Sequence, residues 1–366
     1  MKTINKLNYK IALTLIVFFN TLILVAQDYS FQNTINKSFL AKGDVTLEIS
    51  NKYGTIHFYN TEGDSVKIRI DLTIKAKDEV KLEKMKSEIN FDFNSTMSFI
   101  IAKTLIGTKS NNISTKIKYE MMPLTDNSVE INYSVYAPKN LNLKIDNKFG
   151  DMYLENHEGK ITINQAYGDL KANNLSGNVN LDISFGDAVI NTLSNANVAV
   201  MYSDFHLVQA SSLTIESKSS NITIDQINKL TISSKRDNYI ISELNYLYGE
   251  TWFTDLKISS LKSECLLTLK YGGLNISNIS KEFNMINLSS KYTDYKLFFN
   301  KDASCNFDIT HRNADIKYPI ESVNIQQNSV GADSKTLITS GFLGKKDSTS
   351  KLKVNIEYGD LKIIQN

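Results

Sequence analysis

One phrase recurs along this chain. It is an aromatic residue, glycine and aspartate, followed by apolar residues at alternate positions. Phe149-Gly150-Asp151, Tyr167-Gly168-Asp169 and Phe185-Gly186-Asp187 are spaced 18 residues apart, and Tyr202-Ser203-Asp204 comes 17 later. Looser copies start at Ser219, Arg236, Phe253, Tyr271, Tyr292 and Asn313, and Tyr358-Gly359-Asp360 closes the chain. A fixed period of roughly 20 residues marks a solenoid, because a unit that short buries its apolar face only against its own copies.

With the aromatic as position zero, apolar side chains stand at plus three and plus five: Leu170 and Ala172, Phe205 and Leu207, Ile222 and Ile224, Leu361 and Ile363. Others stand at plus eight (Leu175, Leu193, Leu244) and at minus six and minus four (Ile161 and Ile163, Leu213 and Ile215). A spacing of two is the strand period. Each repeat therefore carries two short strands whose inner faces meet only when the chain coils. The expected fold is all-β, a single-stranded parallel β-solenoid of about a dozen rungs. Glycine at plus one reads as a bend between faces that does not need positive φ in every copy. The following Asp reads as stabilising that bend through its own backbone.

The chain before Leu141 reads differently. Residues 1–27 have the form of a secretory signal peptide: Lys2, Lys6 and Lys10, then the apolar run Ile11 to Val25, then Ala26. Without those three lysines, 38 basic side chains face 39 acidic ones, a net charge of −1. A nucleic-acid footprint is therefore not expected. Residues 28–140 read as a β-rich N-terminal cap, with a short amphipathic helix over Lys77 to Ile89 (apolar Val80, Leu82, Met85, Ile89) and an insertion loop from Ser95 to Met122. Residues 141–366 read as the solenoid repeats, with a second loop-out from Glu321 to Ser350 before the last rung.

Several groups are candidates for chemistry. Asp151, Asp169, Asp187, Asp204, Asp255 and Asp294 form an outward column that could hold calcium or work as a carboxylate pair. The spacing fits instead a solvated, turn-stabilising column balanced by the lysines at minus one. His57, His157, His206 and His311 are scattered, without zinc spacing, and read as surface residues. Cys265 and Cys305 sit two phrases apart, too far for a disulfide, and read as buried thiols. Tyr167, Phe185, Tyr202, Tyr271 and Tyr292 at position zero form either a ring ladder or a ligand-facing stripe, the ladder being the favoured reading. No catalytic, cofactor-binding or metal site is assigned.

The leader, the Tyr53-Gly54 phrase, the strand ending at Ala137-Pro138-Lys139-Asn140, the Phe149-Gly150-Asp151 series, the Gly341-Phe342-Leu343-Gly344 turn and the final Tyr358-Gly359-Asp360 occur in that order. In this order and these motifs the chain resembles the large bacterial family of candidate adhesins of unknown function, with head-GIN-type domains as relatives. It departs from that pattern in its long N-terminal insertion and its glycine-less middle rungs. The resemblance implies a β-solenoid of the cell envelope and carries over no catalytic residue. The expectation is an exported, non-catalytic envelope protein, periplasmic or at the cell surface. Its partner would be an envelope protein, a glycan or a surface, and its membrane contact would be through the cleaved leader alone. The alternative is a polysaccharide-active β-helix enzyme, a lyase or glycosidase, which needs unlike groups converging on adjacent rungs.

Overall fold

The computed structural model describes residues 29–107, 128–319, 323–329 and 335–366. The leader read over residues 1–27 lies outside the described residues. The N-terminal part holds β1 (Tyr29–Leu40), β2 (Thr46–Lys52), β3 (Ile56–Asn60), β4 (Ser65–Ala76), α1 (Glu79–Glu88), β5 (Ile89–Ser95), β6 (Phe99–Ile106) and β7 (Val129–Ala137). The repeats run through β8 (Asn142–Lys148), β9 (Met152–Leu154), β10 (Ile161–Ala166), β11 (Leu170–Ser184), β12 (Asp187–Met201), β13 (Asp204–Lys218), β14 (Asn221–Lys235) and β15 (Asn238–Ile279). The chain then forms β16 (Met285–Phe299), β17 (Cys305–Lys317), β18 (Val323–Ser329), β19 (Thr336–Leu343) and β20 (Lys351–Gln365). No helix among the described residues is long and apolar enough to cross a membrane.

The chain divides into two compact units. One comprises Met1–Thr34, Asp71–Asn90 and Leu105–Glu130. Its described part carries α1, where Asp78 caps the helix by accepting the Lys81 backbone N–H at 2.7 Å. Leu82 and Met85 are buried, whereas Val80 is 82% exposed. Two residues at 100° each put Val80 on the face opposite Leu82, so it is not part of the apolar stripe. Lys86 lies over the Phe31 ring at 4.4 Å.

The other unit comprises Ile35–Ile70, Phe91–Thr104 and Ile131–Asn366. It is a β-solenoid of parallel rungs. Ile161 pairs with Val179, Val179 with Ala196, Ala196 with Leu213, and Leu213 with Leu230. The apolar columns fall where the period of two puts them: every residue cited above at minus six, minus four, plus three, plus five and plus eight is buried.

Three features differ from the sequence expectation. The first is at the N-terminal end. Phe99 to Ile106, read as part of an insertion, forms strand β6, with Ile100 and Ala102 buried. It pairs in parallel with β2 (Leu47 with Ile100), while β2 pairs on its other edge with β8 (Leu47 with Leu143). The first rung in sequence is thus the second in space. Residues 108–122 of that insertion lie outside the described residues.

The second is at the other end. Strand β20 does not close the stack. It lies between β16 and β17, with Leu352 paired to Ile286 on one edge and to Phe307 on the other. The third is that not all strands are parallel. Within the segment read as a loop-out, β19 runs antiparallel to β17 and to β18. A hairpin therefore covers the edge of β17 that a parallel neighbour would otherwise need to pair.

Candidate functional site

Position zero of every rung has a left-handed backbone. Tyr53, Phe149, Tyr167, Phe185, Tyr202, Ser219, Arg236, Phe253, Tyr271, Tyr292, Asn313 and Tyr358 all have φ between 49° and 63°. Non-glycine residues rarely adopt this conformation, which costs about 1–2 kcal/mol each. The bend does need positive φ in every copy, and the residue at position zero, usually aromatic, supplies it. The bend's N–H is satisfied from the next rung: Phe149 donates to the Ala166 carbonyl at 3.0 Å and Tyr202 to that of Lys218 at 3.0 Å. Glycine at plus one has a different purpose. A Cβ on Gly168 would stand 2.2 Å from the Gly150 carbonyl oxygen, so successive corners approach more closely than a side chain allows.

The left-handed corner points its side chain outward, and identical corners one rung apart stack their rings. Tyr53, Phe149, Tyr167, Phe185 and Tyr202 form one continuous ladder, with centroids 4.8 to 5.3 Å apart and planes within 12°. Phe253, Tyr271, Tyr292 and Tyr358 form a second. The rings from Phe149 to Tyr292 remain 41–52% exposed. They are a ladder and a solvent-facing stripe at once. Between the two runs stand Ser219 and Arg236. The lysines at minus one flank the stripe: Lys218 Nζ lies 5.7 Å from the Tyr202 centroid and Lys270 Nζ 5.9 Å from that of Trp252. The sequence paired the minus-one lysines with the Asp column, and Lys52, Lys218, Lys270 and Lys291 lie near rings, Lys291 also pairing with Glu357 at 3.2 Å.

Beneath the break the corner is polar and buried. Ser203, Ser220, Asp237 and Thr254 replace glycine at plus one, and all are buried. Each offers an oxygen to the backbone N–H of the plus-one residue before it: Gly186 to Ser203, Ser203 to Ser220, Ser220 to Asp237, Asp237 to Thr254. The Asp237 carboxylate also accepts from the Ser217 hydroxyl at 2.7 Å, the Ser234 hydroxyl at 2.6 Å and the Lys235 N–H at 2.9 Å. Tyr239 shares the network through Ser217 at 2.6 Å, and burial pushes its phenol well above the usual range. Sequence reasoning passed over this network as degraded copies. A signal was present: polar Ser217, Ser234 and Thr251 at minus two interrupt the strand-period apolar column.

The family model Toastrack DUF4097 matches residues 25–207, half of the 366 residues. This chain belongs to the Toastrack family. No curated protein matches it. Among solved structures it is similar to a candidate cell adhesion protein from Clostridium sporogenes (10% identity, 92% of this chain and 100% of that one covered, TM-score 0.19). It is also similar to a candidate adhesin from Bacteroides fragilis (12% identity, 91% and 97% covered, TM-score 0.27). A third similar structure is a candidate adhesin from Parabacteroides merdae (12% identity, 72% and 95% covered, TM-score 0.30).

In this Toastrack chain the acids at plus two face outward and act between rungs. The Asp169 N–H donates to Asp151 Oδ1 at 2.9 Å, Asp187 to Asp169 at 3.0 Å, and Asp360 to Asp294 at 3.0 Å. They stabilise the next rung's backbone rather than their own bend. No three acids, histidines or cysteines among the described residues group as a metal site. Two histidines are not on the surface as expected. His157 is buried with Nε2 2.6 Å from the Leu141 carbonyl oxygen, and His311 is buried beside Thr339 at 3.2 Å. Which residues pack over positions 157 and 311 depends on neighbouring rungs, which spacing alone does not carry. Cys265 and Cys305 are buried and unpaired, and burial pushes both thiols up to about 12. The insertion of β20 puts three strand steps between them, not two.

Proposed function

We propose that this Toastrack chain is an exported, non-catalytic binding scaffold of the bacterial cell envelope, with the aromatic stripe as its contact surface. The supporting observation is the stripe itself: five stacked rings from Tyr53 to Tyr202 in register, those from Phe149 to Tyr202 left 41–49% exposed. A contiguous exposed apolar patch on a regular scaffold marks an interaction surface. The outer acids support the non-catalytic part. They are distributed singly up a column and engaged with backbone N–H groups, whereas glycoside chemistry needs two carboxyl groups flanking one bond.

The test combines location and binding. Surface biotinylation of intact cells should label the protein, or label it once the outer envelope is opened. The purified protein should bind envelope preparations of its own cells. Replacing Tyr167 and Phe185 by serine, which already occupies the left-handed corner at Ser219, should lower that binding at least tenfold with melting little changed. Cytoplasmic retention, or unaltered binding by the double variant, would defeat the proposal. So would steady release of reducing ends from envelope glycans.

A further inference from the structure

The break in the stripe is bounded at both ends. Tyr202 and Phe253 are three rungs apart, about 14 Å at roughly 4.8 Å per rung. The Arg236 guanidinium carbon stands 5.9 Å from the Phe253 centroid. That leaves about 8–9 Å between the guanidinium and the Tyr202 ring, at the level of Ser219. Rings in the intact ladders stand 4.6 to 5.3 Å apart, so this interval holds one more ring. Ser219 has the left-handed φ of 52° shared by its neighbours, so the backbone bends as in the other rungs while the ring is missing.

Alongside the break lies a concavity of about 370 Å³ lined by Met201, Glu216, Lys218, Lys235, Trp252 and Phe253. Lys218 and Lys235 line it with the single carboxylate of Glu216, and Arg236 adjoins Lys235 in sequence, so the local charge is positive on a chain whose overall balance is near zero. A ring entering here meets an aromatic face on one side and a guanidinium fork on the other. The fork recognises a carboxylate in two-point fashion.

We propose that the interruption at Ser219 and Arg236 is a binding site for one acidic sugar residue, a hexuronic acid of an envelope or host polysaccharide. This rests on the reading of the chain as an envelope binding scaffold and specifies its ligand class. The pyranose ring fills the Ser219 level against Tyr202, and its carboxylate meets Arg236, with Lys218 and Lys235 beside it. A nucleobase would stack in the same interval, but its phosphate backbone needs a continuous basic track. Asp187, Asp204 and Asp255 stand two residues beyond Phe185, Tyr202 and Phe253, on either side of the break, and interrupt one.

Trp252 is the single tryptophan of the chain and lines the concavity, so its fluorescence reports on this site alone. Purified full-length protein is titrated with short oligogalacturonates, with neutral galactan oligosaccharides of the same length, and with a single-stranded oligodeoxynucleotide. Calorimetry is run in parallel. The expected result is a saturable Trp252 change with the acidic oligosaccharide, at least tenfold tighter than with the neutral one or the nucleotide, and weakened by salt. Ser219→Tyr, which completes the ladder, should abolish that change. Arg236→Ser, which leaves the corner open, should lower acidic affinity at least tenfold and spare any neutral binding. Absence of saturable binding by both readouts overturns the proposal, as does equal affinity for the neutral sugar or the nucleotide, or full affinity in both variants. Envelope binding lost on changing Tyr167 and Phe185 is scored separately. If it persists while oligogalacturonate fails, the sugar site alone is rejected; if both fail, the scaffold reading goes with it.

Discussion

The backbone N–H of Ser220 donates to Oδ1 of Asp237 at 2.8 Å, across one rung and 17 residues of sequence. It is one of four donors to a carboxylate that is 2% exposed. A buried charge on this scale persists only when its lone pairs are taken, and here two hydroxyls and two backbone N–H groups take them. Asp237→Ala removes the acceptor and leaves the Ser220 and Lys235 N–H groups buried without a partner. The expected loss is on the order of 3 kcal/mol, read by urea denaturation. Asp237→Asn, which turns one oxygen into a donor facing donors, should fall close to it. A loss under about 1 kcal/mol for both would show that the network does not contribute to stability.

Two corner glycines, Gly168 at plus one and Gly273 at plus two, should behave unlike one another. At Gly168 an added Cβ meets the Gly150 carbonyl oxygen at 2.2 Å, and rigid ladders hold both backbones. At Gly273 the nearest atom is the exposed Asp255 carboxylate at 3.3 Å, a side chain free to move aside. Gly168→Ala should cost several kcal/mol, while Gly273→Ala should change stability by about 1 kcal/mol or less, in either direction. Thermal melts of the two variants check this. Equal shifts would mean that the corners are not held at contact distance.

The apolar columns were legible from the chain because a period of two leaves little choice of face: Leu207 and Ile224 are both fully buried, as their spacing requires. The helix was legible from the spacing of Leu82 and Met85 for the same kind of reason, although Val80, read with them, faces away. What did not show was which rung lies beside which. Every rung offers the same alternating face, so Leu352 suits Ile286, Phe307 or any other neighbour, and the choice rests on contacts between distant segments. The aromatic corner was legible as a ladder, yet its strain was assigned to the wrong residue. Glycine is the usual bearer of positive φ, but here position zero carries it in every copy, and glycines such as Gly168 serve close approach. Asp237 was missed because loss of the aromatic and the glycine together looks like decay, although it supplies the acceptor that the polar corner needs.

The place of β20 has a consequence for truncation. Its side chains Leu352, Val354, Ile356, Leu361 and Ile363 are buried between two other strands rather than at an end. Each contributes roughly 1.5–3 kcal/mol before entropy is counted. Removing residues 351–366 therefore takes out an inner strand and leaves β17 with no parallel neighbour. Amide protection should collapse through β16 and β17, while β11 to β14 stay protected, because solenoid rungs depend chiefly on their nearest neighbours. Hydrogen exchange on the truncated protein measures this. Full protection of β17 after the deletion would show that the strand order is wrong.

Stability should also carry a signature of its buried histidines. Burial, the largest influence, lowers the pKa of His157, against the opposing pull of the Leu141 carbonyl and the Glu158 charge. His311 is lowered for the same reason, opposed by the Ala314 backbone. The unfolded chain takes up these protons near pH 6.5, before the folded chain does. Their contribution is therefore fully present above about pH 7, and it is lost as pH falls from there through the lower folded values. Urea denaturation at pH 7.5 and 5.5 should show lower stability at the acid end. His157→Gln keeps a donor for the Leu141 carbonyl but cannot charge, so it should remove part of that slope at little cost at pH 7.5. Adding His311→Gln should remove most of the rest. An unchanged slope in the double variant would place the acid sensitivity elsewhere and show that neither imidazole is held neutral by the fold.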